Sequence, residues 1–560
     1  MSPNIKIEKL RAGDYLLLSP LISGDVRQIA ATLEKEYSKC PRLSVLTPVY
    51  LDKMGRIFFH GGFITPRLKY PMPIASQELP IGQYPELREV DFSPLWCAIL
   101  PKEFSKIPET LNNLDDDLFH HADFVMQLKQ LGFKIFVTPK VMVTYEGAYV
   151  AKEGVKEWSK RMEKSKNEFV KKWASEIDKQ FRLPVVAHTH TGFPGGFCNH
   201  AINLISALLD KKINVYYKFI GGSNDDEPPC DEPRVDELKE DMGSTRLPQI
   251  ALSTGPNLFS NSGKYRIGYT TCEVDGVPEN WVRILNEIDE VWATSEFVKQ
   301  SFLRSGVKTP IYVIPEGVDP NYFHPNIKPF DYKDMVAPDG QPYAMQGKFK
   351  FISNFAWGRR KGVEELFEAF RKEFSEDENV CLMLKVLPSW IGEKILETAE
   401  KLYYRKGAAP IFLYDIKLAR WELPRFYALG DAFVFPTRGE GFGLPLCEAM
   451  AMGLPIITTG YSSQLDFLAP KGKPLPGVKF LDYKLKEFDG RDSVYYWGFN
   501  WAVPSVDQLR KYMREVYENY EKYKKEAMES SEYIRREWTW EKAAEKVIMR
   551  LEDIYKNKLK

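Results

Sequence analysis

Residues 433–455 read FVFPTRGEGFGLPLCEAMAMGLP, and this stretch restricts the fold more than any other. Residues 432–435 are continuously apolar, which predicts a buried strand. Residues 436–444 carry three glycines and one acid, which predicts a loop. Pro445 then opens a helix at its first position, where a missing N–H costs nothing. A buried strand, a glycine-rich loop and a helix N-terminus together make an anion-binding arrangement. The amides of Gly441, Phe442, Gly443 and Leu444 are candidates to face a phosphate or a sugar hydroxyl, with glycine letting the ligand approach. Glu440 in the loop and Glu448 about a turn into the helix supply two acceptors for one polyhydroxylated ligand. A plain helix-capping loop with two solvated acids explains the glycines, but not both acids beside an apolar strand.

The chain has 560 residues, too many for one core, so several domains are expected. Lys+Arg and Asp+Glu are both 77, and this balance argues against nucleic acid as the main partner. The 7 cysteines are odd in number and form no CxxC pair, which argues against a disulfide framework and for a reducing, cytoplasmic setting. No signal peptide and no membrane span is expected.

Residues 1–150 alternate short strands (15–18, 43–46, 134–138, 141–145) with helical stretches such as 26–36. Residues 151–182 predict an amphipathic linker helix, with Trp158, Phe169, Trp173 and Ile177 on one face. Residues 183–335 begin a new α/β unit. A strand at 184–187, the loop HTHTGFPGGF and a helix at 199–209 again set amides beside a candidate phosphate. His188 and His190 share one side of an extended segment; without a third ligand they read as structural or acceptor-contacting rather than zinc-binding. Residues 224–233, acidic and proline-rich, predict a surface loop. Residues 328–348 are irregular and predict the crossing between two units.

Residues 336–505 form the second Rossmann-like unit, with a strand at 349–354 and a helix at 363–374. WGRRKG lies between them. Two or three cations at a strand-to-helix turn suit a pyrophosphate, since charge-assisted bonds contribute roughly 1.5–3 kcal/mol each. Cations at a helix start otherwise oppose its dipole. Strands are expected at 381–387 and 411–415. Residues 506–560 are helical.

On these motifs, Glu440-x7-Glu448 inside EGFGLPLCEAMAMGLP resembles the signature of retaining, family-four glycosyltransferases of the GT-B fold. YRIGYTTCEVDGVPENW, IDEVWATSEFVKQSF and TPIYVIPEGVDPNYF resemble a subgroup of the same family, and the likeness runs from about 183 to 560. It implies two Rossmann-like domains facing a cleft, 183–335 on the acceptor side and 336–505 on the donor side, with helices 506–560 crossing back. It further implies a nucleotide-diphosphate sugar as donor, a glycan, lipid-linked or protein acceptor, and transfer of a hexosyl unit without metal or other cofactor. Lys361 matches the family's diphosphate-binding lysine. Arg360 or Arg359 stands in for its arginine, several residues from the usual place. Gly195 and Gly196 match the loop facing the diphosphate. Glu440 matches the acid holding donor-sugar hydroxyls and Glu448 the one holding ribose hydroxyls. Glu273 matches a cleft-facing acid, with His190 on the acceptor side. Ser295 reads equally as a helix N-cap.

DYLLLSPLIS, DKMGRIFFHGGF and HHADFVMQLKQLGFKIFVTPKVMV resemble the second half of an inverting, GT-A type family-two glycosyltransferase. Ser19, Pro20 and Leu21 replace that family's metal-binding acids, and His120 and His121 replace the pair carrying its catalytic base. Residues 1–150 therefore read as a truncated, non-catalytic GT-A-like α/β domain serving scaffolding, homo-oligomerisation or acceptor docking. The location implied is cytoplasmic, with room for peripheral contact at the inner face of the membrane. The rival readings are a nucleotide-sugar epimerase or phosphorylase on the same fold, and a non-catalytic glycan-binding assembly protein. Product analysis separates the first, and calorimetry the second, since a dead scaffold should bind glycan but no nucleotide sugar.

Overall fold

The structure, a computed structural model, describes residues 5–10, 12–103, 117–149, 155–192, 195–230, 232–331, 345–387, 406–414, 417–490 and 495–559. The start of the helix expected over 151–182, the side chain of Trp158, residues 193–194 of the glycine loop, the crossing at 332–344 and residue 415 lie outside them. The chain divides into two compact units, Met1–Arg182 and Leu183–Lys560.

The first unit is built on a mixed sheet. Its main path runs Lys6–Lys9, Tyr15–Leu18, Cys97–Leu100, Ser44–Leu51, Lys134–Tyr145, Ile22–Ser23. Two short strands expected around Pro139 are one strand, Lys134–Tyr145, whose register against Ser44–Leu51 slips between Thr138 and Met142. Proline has no N–H to give the ladder, so the strand bulges there instead of ending. The helix Val155–Asp178 belongs to this unit's core, because Phe169, Trp173 and Ile177 bury their side chains in it.

The second unit contains two six-stranded sheets. The first runs Ile213–Phe219, Arg182–Thr189, Pro248–Leu252, Tyr265–Thr270, Glu290–Ala293, Ile311–Val313. The pairings from Arg182–Thr189 onward are parallel. The second is parallel throughout and runs Ile411–Tyr414, Val380–Leu387, Phe349–Ala356, Ala432–Phe435, Ile456–Thr459, Val478–Leu481. Numbered along each half, the orders are 2-1-3-4-5-6 and 3-2-1-4-5-6. The α/β class with Rossmann-like parallel sheets is thus as the sequence predicts. In such sheets ligands bind beyond the carboxyl ends of the strands, where the order reverses. Those points are Thr189 beside Leu252 in the first sheet, and the ends of the paired strands Phe349–Ala356 and Ala432–Phe435 in the second.

Both reversal points lead into the loops singled out by the sequence. The last helix, Trp540–Asn557, packs against the helix Gly196–Asp210 of the first sheet, sharing a core through Ala544, Val547 and Leu551. Among the described residues, no helix is long and apolar enough to cross a membrane.

Candidate active site

The strand Phe349–Ala356 delivers a tight turn, Arg359–Lys361, followed by Gly362 and the helix Val363–Glu373. Gly362 has φ +71°, and a Cβ there would stand 1.9 Å from the carbonyl oxygen of Pro436. The basic turn is therefore pressed against the 436–443 loop, and the Arg438 amide donates to the Arg360 carbonyl at 2.7 Å. Three donors converge on Glu440 Oε1: Lys361 Nζ at 2.6 Å, Arg360 Nη1 at 2.9 Å and Thr437 Oγ1 at 2.8 Å. The Glu440 amide donates to Ser462 Oγ at 2.9 Å, and that hydroxyl donates to Gln464 Oε1 at 2.8 Å. Glu440 is buried. Burial pushes its carboxyl up, but Lys361 and Arg360 outweigh burial and hold it below its ordinary value. Burial, with the neighbouring Arg360, draws Lys361 down, against the pull of Glu440.

Arg360 reaches across to the first sheet as well, with Nη2 3.3 Å from Glu273 Oε1. Arg359 turns elsewhere. Its Nη1 meets Asp489 Oδ2 at 3.0 Å and its Nε lies 3.5 Å from Glu364. Of the two arginines the sequence left open, the structure places Arg360 in the Glu440 cluster.

Three glycines of the loop have different causes. A Cβ on Gly439 would stand 2.0 Å from the Glu273 carbonyl oxygen, and one on Gly441 2.0 Å from Thr271 Oγ1. Thr294 Oγ1 also donates to the Gly441 carbonyl at 2.5 Å. The close approach read at Gly441 is thus made by the first sheet's loop, whatever else reaches it. Gly443 has φ +100° and caps the helix Leu444–Ala451, which starts one residue before Pro445. The Phe442 ring is buried beside Phe467, with centroids 5.0 Å apart, so it packs rather than projects. Ser295 caps its helix, accepting from the Val298 amide at 3.1 Å, and bonds Ser463 Oγ at 2.7 Å.

Glu448 accepts from Tyr427 Oη at 2.7 Å, and Tyr427 accepts from Asn354 Nδ2 at 3.1 Å. Burial, with the Glu316 charge adding to it, raises Glu448 to about 7 against the Tyr427 bond. Glu316 itself pairs with His200 Nδ1 at 3.2 Å. His200 stands on the helix Gly196–Asp210, whose N-terminus is at Gly195. Among the described residues, a Cβ on Gly195 or Gly196 would meet nothing within 4 Å. His190 lies at the same strand end beside Phe197, with centroids 6.3 Å apart, and burial lowers it against the Glu227 charge. His188 is packed inward on Gln249, at 2.7 Å.

Most of the described residues of 224–233 are exposed, as expected of a surface loop, but Asn224 and Glu227 are buried. The Glu227 carboxylate accepts from the Thr191 and Gly192 amides, the latter at 3.0 Å, and from Tyr217 Oη at 2.5 Å. A buried acid needs such donors, and composition alone does not disclose them. Thr437, Ser462, Tyr427, Asn354, Glu316 and Glu227 were all missed from sequence. Thr437 and Glu316 lie within motifs, in 433–455 and in TPIYVIPEGVDPNYF, but nothing in those motifs marks them, while Ser462, Tyr427, Asn354 and Glu316 gain their roles from partners distant in the chain.

Residues 346–473 match the family model described as "Glycosyl transferases group 1", and residues 421–547 match "Family 4 Glycosyltransferase in conflict systems". A "Probable sucrose-phosphate synthase" of Thermosipho melanesiensis is 23% identical over 266 residues, covering 48% of this chain and 52% of that protein. The capsular polysaccharide biosynthesis glycosyltransferase CapM of Staphylococcus aureus is 30% identical over 106 residues, covering 19% of this chain and 26% of its own. Among solved structures, Anabaena HepE in complex with UDP and glucose aligns with a TM-score of 0.46 and 13% identity, over 66% of this chain and 100% of that one. The chain spans about half, or less, of the length of these curated relatives. The segment holding Arg360, Lys361, Glu440 and Glu448 is thus similar in sequence to glycosyltransferases of group 1.

Proposed function

We propose that this chain is a retaining glycosyltransferase, moving a hexosyl unit from a nucleotide-diphosphate sugar to a glycan, lipid-linked or protein acceptor. The observation that carries this reading is the convergence of Lys361 and Arg360 on the buried Glu440, at the reversal point of a parallel sheet. A buried acid held ionised by two cations is a strong hydrogen-bond acceptor for sugar hydroxyls. The same cations are ready to neutralise charge developing on a departing diphosphate. The helix start at Gly195–Gly196 adds amide donors. Glu448, on Tyr427, takes the ribose hydroxyls. The leaving phosphate takes the acceptor's proton on the face it departs from, and closure of the cleft keeps water from the donor. Arg359, tied to Asp489, supports the turn, while Glu273 orients Arg360.

The first unit is, in this reading, a non-catalytic GT-A-like remnant for scaffolding or acceptor docking. Two residues standing where catalytic acids are expected are structural. Ser19 Oγ accepts from the Leu21 amide at 3.2 Å, and the buried His121 Nδ1 accepts from the Leu95 amide at 3.1 Å.

Transfer and hydrolysis assayed with a panel of UDP-, GDP- and ADP-sugars test the reading. Lys361→Ala and Glu440→Gln are each expected to lower kcat by about 10²–10³-fold, as for loss of one charge-stabilising group, with the fold retained. Full activity in either variant removes the assignment.

A further inference from the structure

Several contacts join the two halves of Leu183–Lys560, among them Ser295 with Ser463 and Asn500 with Asp275, and Arg420 makes one of them beside the helix Gly196–Asp210. Arg420 precedes the helix Leu423–Tyr427, whose last residue holds Glu448. Its Nη2 donates to Asn203 Oδ1 at 2.6 Å, and its Nη1 lies 3.3 Å from Glu232 Oε2. Both acceptors belong to the first sheet's half, and both are braced. Asn203 stands on the helix Gly196–Asp210, and its Nδ2 donates back to the Asn199 carbonyl at 2.7 Å, which fixes which end of the amide faces Arg420. Glu232 is also held by Arg234 Nε at 2.8 Å, and Arg234 reaches Asp210 at 2.7 Å. The opposing charges keep the Glu232 carboxyl at about 2 despite burial, so the partner of Arg420 stays ionised across the working pH range. The same segment carries Glu227, which fixes Thr191 and Gly192 just ahead of Gly195. One end of this device therefore leads to the donor-facing glycines, and the other to the partner of Glu448.

We propose that Arg420 is a positioning residue: by gripping Asn203 and Glu232 it holds the two halves in the donor-competent geometry. This rests on the function proposed above. A two-pronged guanidinium grip is specific in direction as well as charge. A protein whose binding-competent arrangement is less populated binds its ligand more weakly by that fraction, while turnover at saturation is little changed. The contacts of Arg420 are with Asn203 and Glu232 and not with the Lys361–Glu440 cluster, so its signature is expected in KM and not in kcat.

The test uses the full chain, the donor found by the nucleotide-sugar panel, and the variants Arg420→Ala and Arg420→Lys. Arg420→Ala is expected to raise donor KM about tenfold, within the usual range for coupling between sites, with kcat within about twofold. Arg420→Lys keeps the charge without the fork and is expected to fall between. A lowered melting temperature with unchanged KM overturns the proposal, because a merely structural contact gives that result. Small-angle scattering without donor provides a readout that does not depend on catalysis. Arg420→Ala is expected to show a larger radius of gyration than the parent, and equal radii overturn the proposal. If Lys361→Ala is inactive but Arg420→Ala has the parent KM, only the grip is lost and the glycosyltransferase reading stands. If the parent transfers nothing from any nucleotide sugar, that reading is lost, and the scattering comparison alone decides the grip.

Discussion

Glu440 and Glu448 are both buried acids, yet their surroundings drive them apart. Glu440 has Lys361 and Arg360 within 2.9 Å, and their attraction exceeds the cost of burial. Glu448 has a phenol and the repulsion of Glu316, and rises to about 7. A raised acid binds a proton in the folded state that the unfolded chain has already lost. Between about 4.5 and about 7 stability therefore falls as pH rises, and above that the whole penalty remains. The span corresponds to a penalty on the order of 3 kcal/mol. Glu448→Gln removes this titration and keeps an acceptor for Tyr427. The variant is expected to gain stability relative to the parent between pH 5 and pH 8, by up to that amount, read from denaturant unfolding at both values. An equal difference at the two pH values would show that Glu448 does not titrate in this window. Both acids stand out in the sequence, one inside and one just after a loop between a strand and a helix, and the structure shows both buried. Their opposite ionisation was not legible there, because Tyr427, Glu316 and Lys361 come from other parts of the chain. Arg359 and Arg360 were indistinguishable for the same reason: only the fold shows Asp489 beside one and Glu440 beside the other.

The elements themselves were largely readable, since strand and helix periodicities are local. What periodicity does not record is how one loop presses on another. Gly362 shows the difference. An alanine there must hold φ +71° and place its Cβ 1.9 Å from the Pro436 carbonyl, a backbone atom with no rotamer to escape into. The left-handed backbone costs roughly 1–2 kcal/mol and the overpacking about 1–3 kcal/mol more. Gly362→Ala is expected to be destabilised by their combined effect and to lose activity, since Lys361 is its neighbour. Gly358→Ala is the control. Its φ is extended and its Cβ would meet nothing within 4 Å among the described residues, so it should melt within a degree or two of the parent. Equal melting temperatures for the two variants would mean that the basic turn is not pressed on the 436–443 loop. The hairpin Tyr483–Glu487 with Asn500–Pro504 was not legible as a separate element. Its neighbours Phe488 and Tyr496, with Trp501 from its second strand, are buried in a core with Trp281 and Cys272 of the first sheet's half, a long-range packing that no local pattern encodes.

At the scale of the molecule, the sequence placed a boundary near 150 and treated the following helix as a connector. The cores place it differently. Phe169, Trp173 and Ile177 belong to the same cluster as Val45, Phe124 and Ile135, and the next core begins at Val185. A cut after residue 150 therefore strips the helix Val155–Asp178 of the surface that buries its apolar face. A cut after Arg182 leaves both cores whole. The fragment 183–560 is expected to be monomeric, to melt cooperatively and, on the function proposed above, to bind nucleotide sugar as the full chain does, since Arg360, Lys361, Glu440 and Glu448 and their partners all lie within it. The fragment 151–560 is expected to bind a hydrophobic dye and to self-associate, because exposed rings at 169 and 173 form a contiguous stripe on one helix face. Chromatography with light scattering on both fragments decides the matter. A well-behaved 151–560 beside an aggregating 183–560 would mean that the helix stabilises the second unit, and that the boundary at 150 was the physical one after all.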